Sequence, residues 1–144
     1  MEKIIQEKTS ADHLLYVSLK YTKTTDVILN LLERWKILVE TCLDRALERA
    51  KKKKLIKSIP SAPKLKIDKS REVFKKNKEI IDALDLLEFF KRVPTKERLR
   101  ENEFRKNVTL RILDRGQWIA IDIEKLKEYN EIIEKFIREI KQLI

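Results

Sequence analysis

Val108-Thr109-Leu110-Arg111-Ile112-Leu113-Asp114-Arg115-Gly116-Gln117-Trp118-Ile119-Ala120-Ile121-Asp122-Ile123 alternates apolar and polar side chains on both sides of Gly116, the single glycine in 144 residues. A period of two predicts strands, with Val108, Leu110 and Ile112 on one face of the first and Ile119, Ile121 and Ile123 on one face of the second. Asp114-Arg115-Gly116-Gln117 predicts a hairpin loop built on a type I turn with Gly116 left-handed. The competing reading makes both runs helix ends. Every other turn has to be made without glycine, which also excludes a Gly-rich phosphate loop.

Downstream, Asp122 offers a side-chain cap to a helix whose apolar stripe reads Leu126, Tyr129, Ile133, Phe136, Ile140 and Leu143. Upstream, Pro94 stops at about Arg92 a helix carrying Ile80, Ile81, Leu84, Leu87 and Phe90. Thr95 offers a cap to one or two turns containing Leu99. Pro60 and Pro63 predict the longest loop, from Ser58 to Lys66, and Ser70 then caps a short helix carrying Val73 and Phe74.

From Ala11 a seven-residue spacing runs through Leu14, Ser18, Tyr21, Thr25, Ile28, Leu32, Trp35, Val39, Cys42 and Ala46, widened by Leu15, Leu31, Leu38, Leu43 and Leu47. Thr22, Thr24 and Thr25 interrupt it with stiff side chains that cap helices well. Two antiparallel helices, or one helix of about 45 residues, both fit: ordinary lengths favour the break, the unbroken phase favours continuity. The expected fold is mainly α, a single domain over residues 1–144, with a bundle of four to five helices and one β-hairpin before the C-terminal helix.

Hydrophobic residues at 42% and charged residues at 40% leave little for the Gly- and Pro-rich loops of a β-sandwich or a disordered chain. No apolar run approaches about 18 residues and no basic-then-apolar leader follows Met1, so a cytoplasmic protein without transmembrane association is expected. Abundant Lys, Glu and Ile beside scarce Gln is a balance found in proteins that work hot. Cys42, the one cysteine, falls on the apolar stripe and reads as a small buried hydrophobe.

The basic character is local. Residues 45 to 78 hold fourteen Lys or Arg against Glu48, Asp68 and Glu72, a net of +11 in a chain of net +10, so the remainder sums to about −1. Arg49, Lys51, Lys52, Lys53, Lys54, Lys57, Lys64, Lys66, Lys75 and Lys76 are therefore the candidate contacts to RNA or DNA phosphates. Lysines ending a helix also answer its macrodipole, and surface charge keeps proteins soluble. An anionic membrane surface and an acidic protein partner share the same electrostatic logic. Only Phe74 interleaves with the cluster, whereas single-strand binding uses several stacking rings. Lys91 to Arg115, with nine positive and four negative residues, extends the basic character.

Conventional chemistry finds little support. The carboxylate rows Glu128, Glu131, Glu134 and Asp82, Asp85, Glu88 lack the Glu-x-x-His pairs of a two-metal bundle and read as solvated faces. His13 has no partner at ligand spacing, and Ser10 and Ser18 have no visible base. Trp35, Phe90, Tyr129 and Phe136 fall on core stripes; Trp118 opens the second strand facing away from the isoleucines. No cofactor or metal is expected.

Two early helices, a basic loop, a further helix, then Arg105-Lys106-Asn107 and a helix start at Asp122-Ile123-Glu124-Lys125 resemble the HEPN group of prokaryotic helical-bundle proteins, most from Phe104 to Ile140. The resemblance implies the bundle scaffold and a homodimer, here through an exposed part of the early stripe. It also implies a ribonuclease whose arginine is followed four to six residues later by histidine. From Arg105 those positions are Leu110, Arg111 and Ile112, so the general acid or base is missing. The expected function is a non-enzymatic interaction or scaffold module with a localised basic surface. RNA or DNA binding through residues 49–76 is the second reading, and a nuclease or nucleotide-binding enzyme using Arg105 the third.

Overall fold

The threonines at the early weak point end one helix and start another. In the computed structural model, which describes residues 1–144, α1 (Glu2–His13) runs through a π-helical turn (Leu14–Ser18) into the short α2 (Leu19–Tyr21), and α3 (Thr25–Lys52) begins afresh. Thr24 is extended, and its hydroxyl accepts the Val27 N–H at 3.3 Å. The chain thereby folds back, and α1 packs along α3. The unbroken seven-residue phase across the threonines was misleading, because the π turn adds a residue and shifts the buried set to Ile4, Ala11, Leu15 and Leu19. Leu14 and Ser18 are only half-buried, and Tyr21 stands 79% exposed.

At about 1.5 Å per residue α3 is about 40 Å long and forms the axis of the molecule. Ile28, Leu32, Trp35, Val39, Cys42 and Ala46 are all buried on it, as the spacing predicts. It contacts α4 (Pro63–Val73), α5 (Lys78–Arg92) and α6 (Ile123–Leu143), giving five helices longer than one turn or two. No helix is long and apolar enough to cross a membrane. Asn77 caps α5 and Asp122 caps α6, each side chain accepting the backbone N–H three residues on, at 3.2 and 2.8 Å. Leu126, Ile133, Phe136 and Ile140 of α6 are fully buried.

Two boundaries differ from expectation. The proline loop ends at Ala62, because Pro63 occupies the first turn of α4, where its missing N–H and fixed φ do no harm. Ser70 therefore sits inside α4 instead of capping it, and its buried hydroxyl donates to the Lys66 carbonyl at 2.8 Å. A 3-10 turn at Val93–Thr95 follows α5, and the expected turns around Leu99 are a strand, β1 (Arg98–Glu101).

β1 pairs antiparallel with β2 (Thr109–Asp114), which pairs antiparallel with β3 (Gln117–Ile121). The hairpin thus carries a third strand. Val108, Leu110, Ile112 and Ile121 face the core with no exposure. Asp114 opposes Gln117, leaving the two-residue loop Arg115-Gly116 with φ of +52° and +78°. Two positive φ values define a type I′ turn in place of the expected type I, because its twist matches that of the strands.

Arg92 at the end of α5 grips the hairpin: its Nε and Nη2 donate to the two carboxylate oxygens of Asp114 at 2.9 and 3.0 Å. The guanidinium holds the nearly buried Asp114 carboxyl below the usual carboxylate range. A carboxyl depressed in the folded state contributes stability fully above its unfolded value of about 3.9, and loses it as pH falls through the folded value. Asp114→Asn should therefore melt lower than the wild type at about pH 7 and approach it at about pH 2. Parallel melting curves across that range would contradict the assignment.

Candidate nucleic-acid interface

The basic segment is displayed by the way α3 ends. Lys54 adopts φ +62°, its N–H donates to the Lys51 carbonyl at 3.0 Å, and the Leu55 N–H donates to the Ala50 carbonyl at 2.9 Å. This is a Schellman closure with lysine where glycine is usual. Relieving the left-handed strain with Lys54→Gly should raise stability by about 1 kcal/mol in urea denaturation. A loss of stability would show that the lysine stem contributes to packing. Of this final turn only Ala50 is buried; Arg49 and Lys51 to Lys54 are all exposed.

Ion pairing divides the fourteen cations of residues 45 to 78. Arg45 pairs with Glu48 at 3.9 Å, Lys66 with Asp44 at 2.9 Å, Lys69 with Glu72 at 3.6 Å, Arg71 with Asp85 and Glu88, and Lys78 with Asp82 at 2.7 Å. The other nine, Arg49, Lys51 to Lys54, Lys57, Lys64, Lys75 and Lys76, have no carboxylate partner, and all are exposed. Lys66 is thus the one residue of the predicted set that is neutralised locally.

Geometry divides the set again. Lys57 and Lys75 meet across a cleft of about 520 Å³ whose apolar wall is Leu55, Ile56 and Val73. An adjoining cleft of about 620 Å³ shares Val73 and Lys75 and adds Lys76. The 53–62 connection thus brings the end of α3 against the end of α4. Lys64 lines a separate cleft of about 450 Å³ with Lys91, Arg92 and Arg115. Lys57, Lys75 and Lys76 therefore line two adjoining clefts that begin just past the final turn of α3, and Lys64 lines another beside the second basic segment.

The remaining candidates separate. Burial pushes the Cys42 thiol up to about 12 and the Tyr129 phenol up to about 12. The Ser18 hydroxyl lies 3.4 Å from His13 Nδ1 on an exposed stretch of helix with no third group to orient the ring. Both carboxylate rows engage cations: Glu128 with Lys125, Glu134 with Lys8, Asp82 with Lys78, and Asp85 and Glu88 with Arg71. No three His, Cys, Asp or Glu side chains converge on one point. Arg105 is exposed in the connection after β1, whereas Leu110 and Ile112 are fully buried. Trp118 is 42% exposed on the outer face of the sheet, opposite Leu113. The early stripe proposed for a dimer is mostly consumed between α1 and α3 within one chain.

Two residues escaped the reading by periodicity. Tyr21 falls on the predicted stripe and Phe104 in no predicted element, yet they are the most exposed large apolar side chains, at 79% and 75%. The available signal was Phe104 standing directly before Arg105 and Lys106. Comparisons with protein-family models, with curated proteins and with solved structures give no match.

Proposed function

We propose that the chain is a non-enzymatic module that binds nucleic acid through its phosphates, using Arg49, Lys51 to Lys54, Lys57, Lys75 and Lys76. The observation that supports this reading is that these eight cations are exposed and left without a carboxylate in a segment that pairs five others. Unpaired cations at the end of α3, in the connection after it and past the end of α4 attract a polyanion and release its counterions. The HEPN-like resemblance belongs to the scaffold of this proposal and adds no activity to it.

The test is titration of a labelled oligonucleotide at low salt and at rising salt. Binding that weakens steeply with salt is expected, and no binding at low salt overturns the proposal. Polyglutamate serves as the competitor: displacement of the oligonucleotide at equal charge concentration would transfer the surface to an acidic protein partner.

A further inference from the structure

At the far end of α3, about 40 Å from Lys52 by helix rise, the turn between α2 and α3 meets the connection that follows β1. The Phe104 N–H donates to the Lys23 carbonyl at 2.6 Å, and Glu103 Oε1 accepts the Thr25 N–H at 2.9 Å. Arg100 Nη1 reaches Thr25 Oγ1 at 3.0 Å and Asp26 at 2.6 Å. These bonds fix Phe104 against the chain that carries Lys20, Tyr21 and Lys23. Lys20 Nζ stands 5.8 Å from the Tyr21 ring centre.

Phe104 is poorly explained by folding. Its φ is +65°, a left-handed conformation that strains a bulky residue, and its ring is 75% exposed. Asn102, two residues earlier, is also left-handed at +58°. A strained backbone that ends in an unburied ring stabilises little within the chain. What it does accomplish is to present a flat π surface on a connection bonded to the chain two residues from Tyr21.

Positive charge predominates around the two segments. Lys20, Arg105 and Lys106 have no carboxylate partner, and the Lys23 ammonium donates to the Lys20 carbonyl at 2.5 Å, while Asp26 is paired with Arg100, Glu101 with Arg111, and Glu103 keeps its charge as it accepts the Thr25 N–H. Two open rings with three free cations on the same two segments match a strand whose bases are unpaired and whose phosphates are regularly spaced. A duplex hides its base faces and offers nothing for the rings to stack on. A lipid surface matches less well, because Tyr21 ends a short helix and Phe104 sits on a separate strained connection, and two isolated rings bury little apolar area in a bilayer.

We propose that Tyr21 and Phe104 offer stacking faces for the bases of single-stranded nucleic acid, with Lys20, Arg105 and Lys106 holding the adjoining phosphates. The site extends the nucleic-acid reading given above and lies at the opposite end of the molecule from its basic surface, so the two fail separately.

The experiment compares the wild type, Tyr21→Ala/Phe104→Ala and Phe104→Tyr for binding to a labelled single strand of about 16 nucleotides and to its duplex. The double variant should bind the single strand roughly 10-fold or more weakly, with duplex affinity and the salt slope unchanged. Phe104→Tyr keeps the ring and should keep the affinity. A single-strand affinity unchanged in the double variant, or an equal loss on duplex, overturns the stacking site. Binding of the wild type to vesicles rich in anionic lipid, lost in the double variant while oligonucleotide affinity stays the same, overturns it in favour of a membrane contact. Loss of binding on reversing Lys51 to Lys54 alone, with the ring variants silent, would retain the basic surface and reject the stacking site; the converse would retain the stacking site and reject the surface.

Discussion

Trp35→Ala should destabilise the protein by about 4 kcal/mol, the largest loss expected from any single substitution in the chain. The indole has no exposure and sits at the middle of α3 where three helices meet. Its ring stacks on Phe90 of α5 at 6.0 Å and 18°, and meets Tyr129 of α6 edge-on at 6.4 Å and 85°. Phe90 and Tyr129 in turn meet at 5.6 Å. Truncation removes both the buried area and two aromatic contacts, and rigid helices on three sides cannot close the cavity.

The same residue supplies a control. Trp35 Nε1 is buried without a hydrogen-bond partner, and such a donor carries an uncompensated desolvation cost. Trp35→Phe removes that donor along with some volume, so the two effects oppose and a net loss of about 1 kcal/mol is expected. Chemical denaturation followed by circular dichroism reads both. With total stability on the order of 10 kcal/mol, both variants remain folded enough to measure. Similar losses for the two would mean that ring packing at this site matters less than the geometry indicates.

Reversing Lys51, Lys52, Lys53 and Lys54 to glutamate should lower oligonucleotide affinity roughly 1000- to 10,000-fold at about 50 mM salt. Four phosphate contacts on a single strand give a log-log slope of about −3, and extrapolation from 1 M to 50 mM salt turns that slope into between three and four decades. All four side chains are exposed, so the fold should persist. Glutamate at a helix C-terminus opposes the macrodipole by about 0.3 to 1 kcal/mol per residue, which makes glutamine the gentler replacement when stability must be held constant. Undiminished affinity in the reversed protein would remove the end of α3 from the interface.

What the amino acids revealed follows from how local the cause is. The stripe of α3, the cap at Asp122, the stop at Pro94 and the core face of β2 depend on neighbours within a few residues and are found where periodicity and capping place them, whereas of the predicted β3 face only Ile121 is fully buried, Ile119 is half-buried and Ile123 opens α6. Strand β1 was hidden because Arg98-Leu99-Arg100-Glu101 is an edge strand with charges at three of four positions, and only pairing with β2 makes it a strand. The π turn was hidden because the residues it displaces, Leu14 and Ser18, continue the seven-residue spacing as well as those it buries. Ser70 misled because the same hydroxyl that caps a helix can bond back to a carbonyl inside one.

The candidate site was legible as charge and illegible as geometry. Counting lysines located the segment, but which cations are free depends on Asp44, Asp85 and Glu88, which lie on other helices. The meeting of Lys57 with Lys75, the separation of Lys64, and the bond of Phe104 to Lys23 all depend on connections between distant parts of the chain.

The most direct measurement is the salt dependence of oligonucleotide binding, taken side by side for the wild type and for the protein with Lys51, Lys52, Lys53 and Lys54 all changed to glutamine. Phosphate contact by these four ammonium groups predicts a log-log slope that is shallower by about 3 in the variant. Identical slopes for the two proteins would contradict it.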